Sequence, residues 1–99
     1  MRVTIIKDDN TVNVDGVRHD VDCGALPADF HALQWDGDAG EIEYRMTRCD
    51  HCSARSKKSN EFIRDLSPYQ TYVDAWRVAD TAAKVKAAQE AADAAGPQA

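Results

Sequence analysis

Residues 32–46 read ALQWDGDAGEIEYRM, and this stretch decides the fold class. Apolar and polar residues alternate in its two arms, residues 32–35 and 41–46, as they do in half-buried strands. The connection between the arms, residues 36–40, is DGDAG, a composition typical of turns. The stretch therefore predicts an antiparallel hairpin whose apolar residues are Leu33, Trp35, Ile42, Tyr44 and Met46.

Residues 2–21 predict a three-stranded meander beside this hairpin. Residues 3–6 are rich in β-formers, and residues 11–14 alternate between polar and apolar. Asp15-Gly16 is a strong two-residue turn signal, because a type I′ turn needs two positive φ angles and this pair tolerates them. We expect a loop at residues 23–27, one helical turn at residues 28–31, and a short strand at residues 61–66 that closes the sheet.

A helix begins near Ser67 and Pro68. Ser67 is a favourable N-cap residue, Pro68 suits the first helical position, and Gln70 falls where a capping box places its third residue. An apolar stripe with helical spacing follows, suited to covering a face of the sheet: Tyr69, Tyr72, Val73 and Trp76.

Residues 77–95 are mostly alanine with balanced charges, so they favour helix but offer little apolar area for burial. Val78, Ala82 and Val85 form a thin second stripe suited to a partner helix. The sequence therefore predicts a β-rich domain at residues 1–76 and an alanine-rich helical extension at residues 77–99 whose end frays. The expected fold class is α+β: a small antiparallel sheet of four to five strands with one long C-terminal helix packed on it.

The composition sets broad limits. A chain of 99 residues is enough for one domain, and its charged fraction of 29% is ordinary for a folded protein. Residues 1–9 lack a signal-peptide pattern, and no run approaches the roughly 18 apolar residues that span a bilayer. An odd number of cysteines, three, argues against a secreted disulfide framework. We therefore expect a protein that begins in the cytoplasm. The motifs of common hydrolases and P-loop enzymes are missing, which favours a non-enzymatic role.

A basic loop, RMTRCDHCSARSKK at residues 45–58, interrupts this acidic chain. The chain carries a net charge of −5, whereas the loop holds five basic residues against one aspartate: Arg45, Arg48, Arg55, Lys57 and Lys58. Such a patch suits a negatively charged partner. An RNA or DNA site usually adds aromatic platforms, and residues 47–60 contain none, so the charge favours a solvated loop or a contact with an acidic protein surface over nucleic acid.

The same loop holds a Cys-x-x-Cys pair, Cys49 and Cys52. Two thiolates are half of a structural zinc site, and His19 with Cys23 offers a second pair with acceptable spacing. A tetrad of His19, Cys23, Cys49 and Cys52 is therefore one hypothesis. The alternative is that Cys23 is a small buried residue and that Cys49 and Cys52 are free thiols or form a disulfide on purification. Redox chemistry of the thioredoxin kind requires a βαβ pattern that this chain does not show.

Two stretches resemble small proteins encoded near the tail genes of tailed bacteriophages and prophages. These are HALQWDGDAGEIEY at residues 31–44 and PYQTYVDAW at residues 68–76, a hairpin followed by a helix. The likeness covers roughly residues 12–80, and in that family the Cys-x-x-Cys loop looks like an optional extension. The resemblance implies a role in tail or tail-fibre assembly, and its motifs carry no catalytic group.

We therefore expect a non-enzymatic tail-associated protein that acts by protein–protein interaction, as a minor structural component or a helper of tail-fibre assembly. Its partner would be a tail or tail-fibre protein, with a homo-oligomer through the C-terminal helix as a further option. It would work in the host bacterial cytoplasm during assembly, and retention in the virion is left open. The alternative is a zinc-stabilised nucleic-acid-binding module centred on residues 45–58.

Overall fold

The N-terminal residues form the expected meander. In the computed structural model, which describes residues 1–48 and 55–95, strands β1 (Arg2–Ile6), β2 (Thr11–Val14) and β3 (Val17–Asp20) pair antiparallel in chain order. Asp15 and Gly16 connect β2 to β3 with φ angles of 52° and 88°. Both angles are positive, as a type I′ turn requires, so the turn prediction is confirmed.

The central hairpin consists of β4 (Phe30–Asp36) and β5 (Ala39–Tyr44). Its connection is only two residues long, shorter than the predicted five, and Met46 lies outside β5 and is exposed. The helical turn predicted at residues 28–31 is wrong. Phe30 is buried at the start of β4, because the core takes up this large apolar side chain. Its backbone N–H donates to Pro27 O (3.0 Å).

Strand β8 (Glu61–Ile63) completes a six-stranded antiparallel sheet with the order β3-β2-β1-β4-β5-β8. The sheet thus has six strands, whereas four to five were expected. Two short strands, β6 (Thr47–Arg48) and β7 (Arg55–Ser56), form a separate antiparallel ribbon within the segment predicted to be only a loop. Each has two residues, too few for a periodic signal.

One face of the sheet is apolar. Residues paired across antiparallel strands point to the same side of the sheet, and the pairs on this face are apolar. Val3 pairs with Val14 on one neighbouring strand and with Trp35 on the other. Leu33 pairs with Ile42. Gly40 is required opposite Trp35, since a Cβ there would lie 2.8 Å from the indole ring. The hydrophobic core therefore lies between this face and the C-terminal helix.

The C-terminal helix starts as a 3-10 turn at Ser67–Tyr69 and continues as helix α1 (Gln70–Ala95). The predicted capping role of Ser67 is wrong, because its hydroxyl donates to Asp65 Oδ1 (2.5 Å) instead of accepting from the helix. Gln70 likewise donates forward to Asp74 rather than back to the cap.

The architecture confirms the α+β class, with one long helix packed on an antiparallel sheet. The molecule measures 73 × 30 × 17 Å, because the second half of α1 extends beyond the sheet. Within residues 1–48 and 55–95, no helix is both long enough and apolar enough to cross a membrane.

Candidate functional site

The first half of α1 is fixed to the sheet by an aromatic cluster. Val73 is fully buried, and the partly buried Tyr69, Tyr72 and Trp76 pack around it, as the helical stripe predicts. The Trp76 indole N–H donates to the backbone carbonyl of Val17 (2.8 Å) on the edge strand β3. The Trp76 ring also lies 5.7 Å from the ring of His19. Burial and a directed hydrogen bond together set the angle at which the helix crosses the sheet.

Asp80 makes the last contact between α1 and the sheet. His19 Nε2 donates to Asp80 Oδ1 (3.0 Å), and Lys84 Nζ lies 2.9 Å from Asp80 Oδ2. The side chains of His19 and Asp80 are only 19% and 14% exposed. The hydrogen bonds from Lys84 and then from His19 lower the pKa of the Asp80 carboxyl. The carboxylate thus joins the helix to β3 at the point where the helix leaves the sheet.

Beyond Asp80, helix α1 has no covering element. Residues 81–94 are all exposed. Val78 and Val85 have 71% and 60% of their surface exposed, which is unusual for valine. The predicted second stripe of Val78, Ala82 and Val85 is therefore open to solvent along its length.

This stripe lies on the side of α1 that faces away from the sheet. Successive helical residues are rotated by about 100°, which places Val78 about 140° from Val73 and about 160° from Asp80. Uncharged residues continue the stripe at spacings of three and four: Ala75, Val78, Ala82, Val85, Gln89 and Ala92. We call these six residues the outer seam. Their spacing is that of a coiled-coil contact surface.

The basic loop is attached to the body at its beginning. Arg45 forms an ion pair with Asp8 and donates to the backbone carbonyl of Phe30 (3.3 Å). The hydrogen bond from Arg45 lowers the pKa of the Asp8 carboxyl. Arg45 is therefore part of the folded body rather than an available charge.

The loop is also attached at its end. Lys58 Nζ lies 2.8 Å from Asp29 Oδ2 and 5.2 Å from the centre of the Tyr44 ring. Tyr44 donates to Glu61 Oε2 (2.6 Å), and this hydrogen bond raises the pKa of Tyr44 to about 12. Between these anchors, Arg55 and Lys57 are exposed. Only the backbone of Arg48 is described.

Two of the four residues of the zinc hypothesis, His19 and Cys23, lie within the described part of the chain. Cys49 and Cys52 lie outside the described residues. The buried thiol of Cys23 donates to the carbonyl of Val21 (3.2 Å), and His19 pairs with Asp80. Burial raises the pKa of the Cys23 thiol, which disfavours the thiolate that a metal needs. Among the described residues no three His, Cys, Asp or Glu side chains form a group that could hold a metal.

The contact between His19 and Asp80 was not predicted from the sequence. It joins residues 61 positions apart, so no local pattern contains it. A partial signal exists in the helix, where Asp80 falls four residues after Trp76 and thus on the sheet-facing side. An acid at the end of an apolar stripe indicates a polar partner on the element that the stripe covers.

Comparison with known proteins gave no matching family model, no matching curated protein and no matching solved structure. Function is therefore inferred from the geometry of the described residues and from the resemblance of two short motifs.

Proposed function

We propose that the protein is a non-enzymatic, tail-associated protein of a bacteriophage or prophage that acts by binding other proteins through helix α1. The observation that carries this proposal is the exposure of Val78 and Val85 on a helix whose position the sheet fixes. In this proposal the protein serves either as a minor tail component or as a helper in tail-fibre assembly, and it works in the host cytoplasm.

The projecting half of α1 contributes little apolar burial to the domain. Its residues 81–94 are all exposed, and burial is what usually stabilises a helix in a protein. It is held in place by Trp76 and Asp80, which fix the direction in which it leaves the sheet. A rigidly oriented helix with apolar residues at intervals of three, four and seven is the form in which helices enter grooves on other proteins.

The setting comes from the resemblance of residues 31–44 and 68–76 to phage tail-associated proteins. The structure contains both stretches in elements that form the core, the β4–β5 hairpin and the docked half of α1. The outer seam lies mostly beyond these stretches. A shared core with a variable helical extension fits a family whose members bind different partners.

The test is genetic and uses the phage or prophage that carries the gene. We expect disruption of the gene to give particles with missing or incomplete tails or fibres under the electron microscope, and we expect the wild-type gene to restore normal particles. Complementation by the double variant Val78→Lys with Val85→Lys should fail, because two charges then occupy the outer seam.

The matched control is the double variant Ala83→Lys with Ala87→Lys. It adds the same two charges to exposed residues of the same helix, but on the side away from the outer seam. We expect this control to restore normal particles. Normal tails in the disrupted strain would contradict the tail setting, and equal behaviour of the two double variants would contradict the role of the outer seam.

A further inference from the structure

The part of α1 that follows Trp76 has an asymmetric charge distribution. Residues 77–86 contain Arg77, Lys84 and Lys86 against Asp80, a net charge of +2. Residues 87–95 contain Glu90 and Asp93 without a basic residue, a net charge of −2. The outer seam itself is uncharged.

This distribution does not suit an isolated helix. The macrodipole of a helix favours basic residues near its C-terminal end and disfavours acidic ones. Glu90 and Asp93 lie near that end, and the last turn of α1, described through Ala95, has no basic residue. Within its own helix only Lys86 approaches Glu90, at 4.0 Å.

We propose that the outer seam binds the outer seam of a second copy in the antiparallel direction. Antiparallel packing places the positive half of one helix beside the negative half of the other, and it does so at both ends. It also opposes the two macrodipoles. Parallel packing would instead bring like charges together in both halves.

The shape of the outer seam also suits a second copy. Its alanines let two helix backbones approach closely, and its valines supply apolar contacts between them. The sheet lies on the opposite side of α1, so it does not obstruct the approach of another helix. Two helices that overlap through residues 78–95 form a contact about 26 Å long, with Val78 at its beginning.

This inference rests on the proposed function, because it names what occupies the binding surface of that proposal. Its first test is the mass of the purified full chain by light scattering and native mass spectrometry, at concentrations up to about 100 μM. We expect a dimer. The double variant Val78→Lys with Val85→Lys should raise the dissociation constant at least about tenfold, since it removes apolar contacts and places charged side chains where the contact would desolvate them. The control Ala83→Lys with Ala87→Lys should remain dimeric.

The direction of packing is tested with a spin label on Thr71→Cys, an exposed position on the outer side of the docked half of α1. Cys49→Ser and Cys52→Ser remove the loop thiols, and Cys23 is buried. Two labels should be about 50 Å apart in the antiparallel dimer and about 10 Å apart in a parallel one. A monomeric wild-type chain, a larger assembly or the short distance would overturn the proposal.

The two proposals fail in different ways. A monomeric wild-type chain whose particle assembly still depends on Val78 and Val85 would overturn the dimer and leave the proposed function standing. If the purified chain forms the dimer as described but particles are normal in the strain whose gene is disrupted, the dimer would stand and the proposed function would be overturned.

Discussion

Asp80 is the residue that determines where α1 stops being part of the domain. Its two carboxylate oxygens face two different elements, since Oδ1 accepts from His19 on β3 and Oδ2 pairs with Lys84 one turn further along the helix. The next residues of the helix are all exposed. The ionised carboxylate therefore stabilises both the docking of the helix and its first projecting turn.

Replacing Asp80 with asparagine should lower the stability of the protein at pH 7, because the ionised form is the one that His19 and Lys84 stabilise. The pKa of Asp80 is lowered below its usual 3.8 by folding. Its contribution is therefore present above that usual value and is lost as the pH falls through the lower value of the folded state. Urea unfolding curves should separate wild type from Asp80→Asn at pH 7 and converge in strong acid.

Asp93→Asn is the matched control, because it removes the same charge from an exposed position of the same helix. Its unfolding curve should stay close to that of the wild type at both pH values. Coincident curves for Asp80→Asn and the wild type at pH 7 would show that the contact with His19 does not hold the helix.

At the scale of elements, local signals predicted the hairpins and the docked stripe of α1. Alternation and the Asp15-Gly16 turn depend only on neighbouring residues, so the sequence contains them in full. The helix begins at Ser67 as predicted, but the capping role of Ser67 was misread, because its hydroxyl and its backbone N–H both donate to Asp65. The outer seam follows from spacing, whereas the anchors of the helix and of the basic loop join distant residues and could not be predicted.

The two halves of α1 should respond differently to truncation. A chain that ends after Ala88 keeps Asp80, Lys84 and one further turn that protects them from fraying. It loses only exposed residues, so its Tm should stay within a few degrees of the wild-type value. A chain that ends after Ala79 loses Asp80 and should melt at a lower temperature. Circular dichroism melts measure both. Equal losses of Tm would contradict the division of the helix at Asp80, as would a large loss in the longer chain.

At the scale of the whole molecule, the body neutralises part of its own basic loop. Asp8 pairs with Arg45 at the beginning of the loop, and Asp29 pairs with Lys58 at its end. Both acids belong to the folded body, so each of these two ends of the loop pairs with an acid of the body. The local positive charge that a nucleic acid would meet is therefore smaller than the sequence indicates, on a chain whose net charge is already −5.

This charge distribution predicts that the zinc-stabilised nucleic-acid-binding alternative fails in solution. Labelled single-stranded DNA and RNA should show no saturable change in anisotropy with protein up to about 100 μM at near-physiological salt, since the ion pairs of Arg45 and Lys58 leave fewer cations to displace counterions. The protein should be purified without chelator, so that any zinc bound through Cys49 and Cys52 is retained. The result that would contradict this prediction is binding that weakens steeply with salt, is lost in the double variant Arg55→Gln with Lys57→Gln, and is kept in Arg77→Gln. That result would place function in the ribbon and loop rather than on the outer seam, because Arg77 belongs to α1, whereas Arg55 and Lys57 are exposed cations in the described part of the loop.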